Sequence, residues 1–273
     1  MTNLAAIIYS TAAIGTAAIG LAAVTLCGEL FLLSTGATAA FAAIVFVSSL
    51  GAGPIPASMA AVAVGLISGC LQGVAIGPLR CNPIIASIAA ASVITGIASL
   101  LTGGRTIIGG GDASWLGLGV LFPGLPHQGV LLVVATLALE LVVQRSRFGR
   151  ELRLVGINRV AARVAGLRTR TTVLMGCTLA GGAAAAAGVL IASQSGTASD
   201  LNFGAIAAVL VGGIGIAGGR GRISDAAFGA LFLAIIGNLL LVKNLPYEAQ
   251  LAVKGAAVLL SVTIGAFLGG KRR

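Results

Sequence analysis

Nine long apolar runs, separated by breaks rich in glycine and proline, leave this chain few ways to fold. They lie at about 5–26, 30–50, 55–77, 83–103 and 128–144, and after a basic break at 171–193, 203–218, 226–242 and 249–268. A helix that crosses the hydrocarbon core needs ~20 apolar residues. The runs therefore predict an all-α, polytopic transmembrane helical bundle of about nine to ten spans, forming a single domain over residues 1–273. The run at 203–218 is short and glycine-rich, and reads either as a span or as a re-entrant segment whose backbone is buried by protein. Composition agrees: 58% of residues are hydrophobic and 9% charged, where a soluble domain carries about 25% charged residues. The 41 glycines suit close helix packing in a bilayer.

Charge orients the bundle. Eight arginines and one acid, Glu151, fall between Arg145 and Arg170, so this one loop carries most of the chain's +10. A basic patch in a soluble protein would suggest nucleic acid. Between apolar spans it marks a cytoplasmic loop, and no nucleic-acid partner is expected. With that loop inside, Arg80, Arg220, Arg222 and the tail Lys271, Arg272 and Arg273 also fall inside. The segment 104–127, with Arg105, Asp112, Trp115 and His127, falls outside, as does Lys243 to Glu248. The N-terminus is then outside and the C-terminus cytoplasmic.

The loop has its own pattern. Val160, Val164 and Leu167 recur at helical spacing, while Arg159, Arg163 and Arg170 take another face. Gly156 and Gly166 bracket the segment, and Asn158 stands where a helix N-cap belongs. From periodicity alone, this is either a basic helix on anionic lipid or a short helix whose small residues admit a partner surface.

Other chemistry finds little support. Cys27, Cys70, Cys81 and Cys177 are widely spaced and form no metal or disulfide framework, so no metal site is expected. Gly213 to Gly218 fits G-x-G-x-x-G, but a dinucleotide site wants a preceding strand and an acid ~20 residues on; close packing explains the glycines better. No G-x-x-x-x-G-K-[ST] occurs, so the chain does not bind ATP through a P-loop. His127 is the sole histidine, and neither a nucleophile–base set nor paired carboxylates appear, so no catalytic residue is expected. Among polar groups in apolar stretches, Glu29, Gln194 and Asn238 are the candidates for a translocation path, with Gln72 and the serines flanking Gln194 beside them. Glu140, near the inner end of its helix, is expected to pair with Arg145 or Arg147.

The stretch GRELRLVGINRVAARVAGL resembles the cytoplasmic coupling loop of ATP-binding-cassette importer permeases of the ribose/simple-sugar type, within the branched-chain amino acid/sugar permease superfamily. Phe148, Gly149 and Arg150 match its aromatic-Gly-Arg start. Gly156, Asn158, Ala161, Ala162 and Gly166 match its G-x-N-x-x-A-A-x-x-x-G pattern. AIAAVLVGGIGIAGGRGRISDAAFGA and AVKGAAVLLSV resemble later family segments, and CGELFLLSTGA stands where a Gly-x-Asp-Leu-Ser-x-Gly motif is common. Three positions depart from the pattern. Glu29 stands near the usual Asp, Gly204 replaces an Asp and Asp225 replaces a Gly. The family's first helix with its charged leader is also expected to be absent.

The resemblance implies an inner-membrane permease subunit that is not itself an enzyme. It would work with a second permease, identical or related, two ATP-binding subunits holding ATP and magnesium, and a periplasmic or lipid-anchored solute-binding protein. The coupling loop, 145–170, would meet the ATP-binding subunit through Arg150, Glu151, Gly156, Asn158, Ala161, Ala162, Arg163 and Gly166. A sugar is the first expectation for the cargo. A nucleoside, a furanosyl signal molecule or a branched amino acid is the alternative, and an ATPase-independent transporter or channel is the alternative of another class.

Overall fold

The computed structural model describes residues 2–29, 31–105, 113–122, 125–195, 201–215 and 218–270; Asp112, Ile216, Ala217 and the Lys271–Arg273 tail lie outside them. The described chain is helical: α1 Thr2–Leu26, α2 Thr35–Ser49, α3 Pro54–Ile76, α4 Pro83–Thr102, α5 Ser114–Leu118, α6 His127–Arg145, α7 Arg147–Ile157, α8 Arg159–Val164, α9 Thr169–Ser195, α10 Leu201–Val211, α11 Ile223–Val242 and α12 Tyr247–Gly270. A short antiparallel pairing of Val120–Phe122 with Leu125–Pro126 closes the loop before α6. Among the described residues, seven helices are long and apolar enough to cross a membrane: α1, α2 with its 3-10 extension to Ala52, α3, α4, α6, α9 and α11. The chain is a multi-pass helical membrane protein. The ninth expected run coincides with α12.

Helix α1 is the hub. It packs on α6, α9, α10 and α11, and Ala17, Ala18, Leu21, Ala22 and Leu26 are completely buried. Alanine on the hub lets neighbouring backbones approach, and the gain is dispersion rather than hydrophobic transfer, because lipid is as apolar as the core. Helix α4 is the opposite case: Ser87 is its one buried residue, and Ile85, Val93 and Leu100 project outward. Such a helix is stable only where its surroundings are apolar.

The tightest seam joins α3 to α9. Gly65, Gly69, Gly73 and Gly77 recur every four residues and so share one face. A Cβ on Gly69 would sit 2.4 Å from the Cys177 carbonyl oxygen, and one on Gly65 would sit 2.3 Å from Ala185 Cβ. Backbone meets backbone along this ridge.

The run at 203–218 is neither of the two alternatives in simple form. Its helical part, α10, has 11 residues, roughly 16 Å and about half a bilayer core. Yet the segment joins opposite ends of the bundle. Gln194, in the last turn of α9, is hydrogen-bonded to Gln128 at the start of α6, while Ser224, at the start of α11, is bonded to Glu140, roughly 18 Å further along α6. Ala205, Ala207, Ala208 and Val209 are buried against α1 and α11. Glycine-rich backbone takes over at Gly212, packed against the Asp225 carbonyl. The crossing is a broken one, whose non-helical part includes buried Ile214 beside exposed Gly213.

Candidate functional site: the basic loop and its seat

Two consecutive helices form the loop. Ser146 begins α7, its hydroxyl oxygen accepting from the Gly149 amide at 3.0 Å. Leu152 and Val155 anchor α7, both essentially without exposure. Asn158 then takes extended backbone (φ −156°, ψ 103°), ending α7 and opening α8. Its Oδ1 accepts from the amides of Val160 and Ala161, each at 3.0 Å. This cap satisfies two donors that a six-residue helix would otherwise leave open. Gly166, at φ +78°, reverses the chain after α8; its amide donates to the Arg163 carbonyl and that of Leu167 to the Ala162 carbonyl, both at 3.0 Å. Left-handed backbone is the ordinary place for glycine after a helix.

The seat of the loop is made of glycine. Gly156 lies against the end of α1, where a Cβ would fall 2.0 Å from the Leu26 carbonyl oxygen and 2.6 Å from the Gly219 amide nitrogen. Gly28 and Gly218, both with positive φ, close on the same point, and the Gly219 amide donates to the Leu26 carbonyl at 3.0 Å. Three segments distant in sequence, 26–28, 156 and 218–219, thus meet through backbone at the base of α1.

An ion pair adds to this contact. Arg159 at the start of α8 bonds the Glu29 carboxylate. Glu29 is 5% exposed; a carboxylate so buried requires a partner. This is the single ion pair among the described residues. Cys27 stands beside it, and burial pushes its thiol up to about 12 against the pull of Arg159.

The eight loop residues fall into two sets. Arg150, Asn158, Ala161, Arg163 and Gly166 are exposed, and Glu151 is half-buried, its carboxylate accepting from the Thr172 hydroxyl at 3.5 Å. Gly156 and Ala162 are turned into the bundle, so they set the position of α8 rather than offer a surface to a partner. The apolar side chains expected on one face do stand together, but outward: Val160 is 71% and Val164 86% exposed, with Ile157 and Leu154 beside them, while Leu167 is half-buried.

The three path candidates do not converge. Glu29 is engaged by Arg159 at the loop end. Gln194 lies roughly 35 Å away along α9, in a polar node with the buried Gln128, whose amide is also 3.3 Å from the Leu190 carbonyl and the Ser193 hydroxyl. Asn238 is half-buried far along α11. Gln72 belongs to a chain joining α2 and α3: Ser34 donates to it at 2.5 Å, and it donates to Ser68 at 3.1 Å. Glu140 does not pair with Arg145 or Arg147. It accepts from the Ser224 amide at 3.0 Å and from the Gln144 side chain, capping α11, because the helix N-terminus already presents an unsatisfied donor at that depth. Asp225 accepts from the Arg222 amide at 2.8 Å and completes the same cap. The Gly213–Gly218 motif follows helix α10 rather than a strand, so the dinucleotide context is missing. No group of three or more metal-ligating side chains occurs among the described residues.

Sequence comparison agrees with this architecture. The chain is 31% identical over 190 residues to the galactofuranose transporter permease protein YtfT of Escherichia coli (strain K12), an overlap covering 66% of this chain and 55% of that protein. It is 32% identical over 188 residues to the autoinducer 2 import system permease protein LsrC of Salmonella paratyphi B, covering 66% and 54%. The LsrC of Klebsiella pneumoniae is 34% identical over 155 residues, covering 55% and 45%. The chain thus spans about half the length of the curated relatives it matches. No solved structure matches it. The model of the family described as branched-chain amino acid transport system / permease component matches residues 3–262, nearly the whole length, and the chain belongs to that family.

Proposed function

We propose that this chain is the membrane-spanning subunit of an ATP-binding-cassette importer for a small polar solute, in the first place a sugar. The observation that carries the proposal is the construction of α8. It is a short helix capped at Asn158, held from beneath by Gly156, Ala162 and the Glu29–Arg159 pair, with Val160 and Val164 exposed among arginines. An apolar tip on a rigid, basic mount is a shape for a partner protein to grip. A helix lying on lipid would need no backbone seat at the hub helix.

On this reading ATP and magnesium belong to two partner ATPases, whose closure pushes on α8. Because α8 is tied to the end of α1, the push reaches the helix that touches α6, α9, α10 and α11. A second permease subunit, identical or related, and a periplasmic or lipid-anchored solute-binding protein complete the machine in the inner membrane, with 145–170 and the C-terminus cytoplasmic and the N-terminus outside. Exposed Arg150, Arg163, Asn158 and Ala161, with Glu151 behind them, are the docking residues. Gln194 and Asn238 remain candidates for the solute path. The sugar is supported by the relative named for galactofuranose, and the relatives named for autoinducer 2 make a furanosyl signal molecule the next candidate.

The test is co-purification with solute uptake. Val164→Asp is expected to weaken recovery of the ATPase subunit about tenfold, equivalent to ~1.4 kcal/mol, and to reduce uptake in step, with the protein still present in the membrane. An intact chain that brings down no ATPase, together with normal uptake by Ala162→Trp, would overturn the proposal in favour of an ATPase-independent transporter.

A further inference from the structure

Beside the loop's seat, the bases of α3, α4, α8 and α9 form an open recess of about 380 Å³ lined by Arg80, Arg159, Arg163 and Arg170. A second recess of about 340 Å³ shares Arg80, Arg163 and Arg170 and adds Arg168. The one carboxylate on these walls, Glu29, is taken by Arg159. The other charged residues on the wall of the first cavity, Arg80, Arg163 and Arg170, are all basic and exposed. Guanidinium groups and phosphate oxygens pair with matched geometry.

Three further observations point to the same ligand chemistry. Two long helices begin at this cavity: Asn82 and Pro83 at the start of α4, and Thr169 and Arg170 at the start of α9, line it. Both present the positive ends of their dipoles. Arg80 has φ +57°, a backbone region that costs a non-glycine residue energy. Its turn is closed by the Leu79 and Cys81 amides on the Val74 and Ala75 carbonyls, and Arg80 lines both recesses. Finally, an apolar strip leads away from the site. Leu79 in the turn before α4, and Ile85 and Ile88 on α4, are 50% or more exposed; α4 is the most outward-facing of the candidate spans.

We infer that this arginine cavity binds the phosphate of an anionic phospholipid whose acyl chains lie along α4. The inference requires only that the basic end of the bundle lie at a membrane surface. It does not depend on an ATPase partner. A lipid held there would brace the α3–α4 turn against the mount of α8.

Cys81 lines the cavity and is exposed, which makes it a native reporter. The full chain carrying Cys70→Ser is reconstituted in nanodiscs of phosphatidylcholine, with or without phosphatidylglycerol, and labelled with uncharged N-ethylmaleimide. Phosphatidylglycerol is expected to slow labelling of Cys81 about tenfold. Arg80→Gln and Arg170→Gln should each bring that ratio close to one, and taking the ratio within each variant removes any change in intrinsic thiol reactivity. Equal rates in the two lipids would overturn the inference, as would protection that survives both substitutions together. Equal protection by millimolar inorganic phosphate in phosphatidylcholine alone would assign the site to a free anion. Protection that appears only when an ATPase subunit is added, whatever the lipid, would reassign the arginines to protein contact.

Discussion

At the scale of single residues, the loop is specified by contacts of two kinds. Asn158 was legible in the sequence because a cap is local: its oxygen needs only the amides two and three residues on, so spacing reveals it. The Glu29–Arg159 pair was not legible. Its members are 130 residues apart, and Glu29 read alone is an acid in an apolar run that suggests a solute path. Removing the carboxylate leaves Arg159 facing a buried neutral group. Glu29→Gln is expected to cost about 1–3 kcal/mol of stability, toward the lower end because Arg159 is 43% exposed and water replaces part of the interaction. Thermal unfolding in detergent measures this. The double variant Glu29→Gln/Arg159→Gln should fall little further than the first alone, whereas additive losses would show that the two side chains do not interact. Next to the pair, Cys27 keeps its proton well above neutrality, because burial pushes it to about 12. Since the thiolate is the reactive form, Cys27 should stay unlabelled by maleimide from pH 7 to pH 9, while exposed Cys81 is modified throughout. Mass spectrometry of the labelled peptides distinguishes them.

At the scale of elements, the spans were visible as runs but their partners were not. Gly65, Gly69, Gly73 and Gly77 form a ridge with a four-residue period, which sequence spacing can reveal. Nothing in that spacing says that the facing helix is α9, 100 residues downstream, or that its Gly181 completes the fit. The ridge can be tested against a glycine that does not pack. A Cβ on Gly69 would meet backbone at 2.4 Å, while one on Gly96, mid-α4, meets nothing within 4 Å. Gly69→Val should therefore force α3 from α9, at a cost of about 1–3 kcal/mol or more for overpacking, seen as aggregation during extraction or a markedly lowered melting temperature. Gly96→Val should extract and melt like the parent chain. If both behave alike, the seam is not a determinant of the fold. The broken crossing at α10 was half legible: its glycine content signalled irregular backbone, but that it still joins opposite ends of the bundle depends on Gln128 and Glu140 of α6, which sequence does not place beside it.

At the scale of the whole molecule, burial and charge describe one axis. Ile8, near the start of α1, lies against Gly129 near the start of α6, at the end that also holds the Gln128–Gln194 node. The far end of α1 meets Gly156, Gly218 and Gly219, and the Arg80 turn opens onto the cavity there. The arginines of the 145–170 loop, Arg80, Arg220 and Arg222 therefore collect toward one end of the bundle. A lopsided end of this kind is expected to stay on the side where the chain is made, because placing each guanidinium in the hydrocarbon costs ~2.5–3.5 kcal/mol on insertion scales. Charge counting gives an expected sidedness from the sequence alone, since the positive-inside rule acts on loops before they fold. It could not reach the hub, since burial of α1 depends on four other helices arriving around it. The orientation is tested with proteolysis and labelling on sealed inverted vesicles, in which the cytoplasmic face points outward. Trypsin should cut within 159–170, where Arg159, Arg163, Arg168 and Arg170 are exposed, before it cuts anywhere at the opposite end, and a tag at residue 1 should stay protected until detergent is added. A tag accessible at once, with the loop protected, would reverse the orientation. It would also move the arginine cavity and α8 to the face where no ATP-driven partner could reach them.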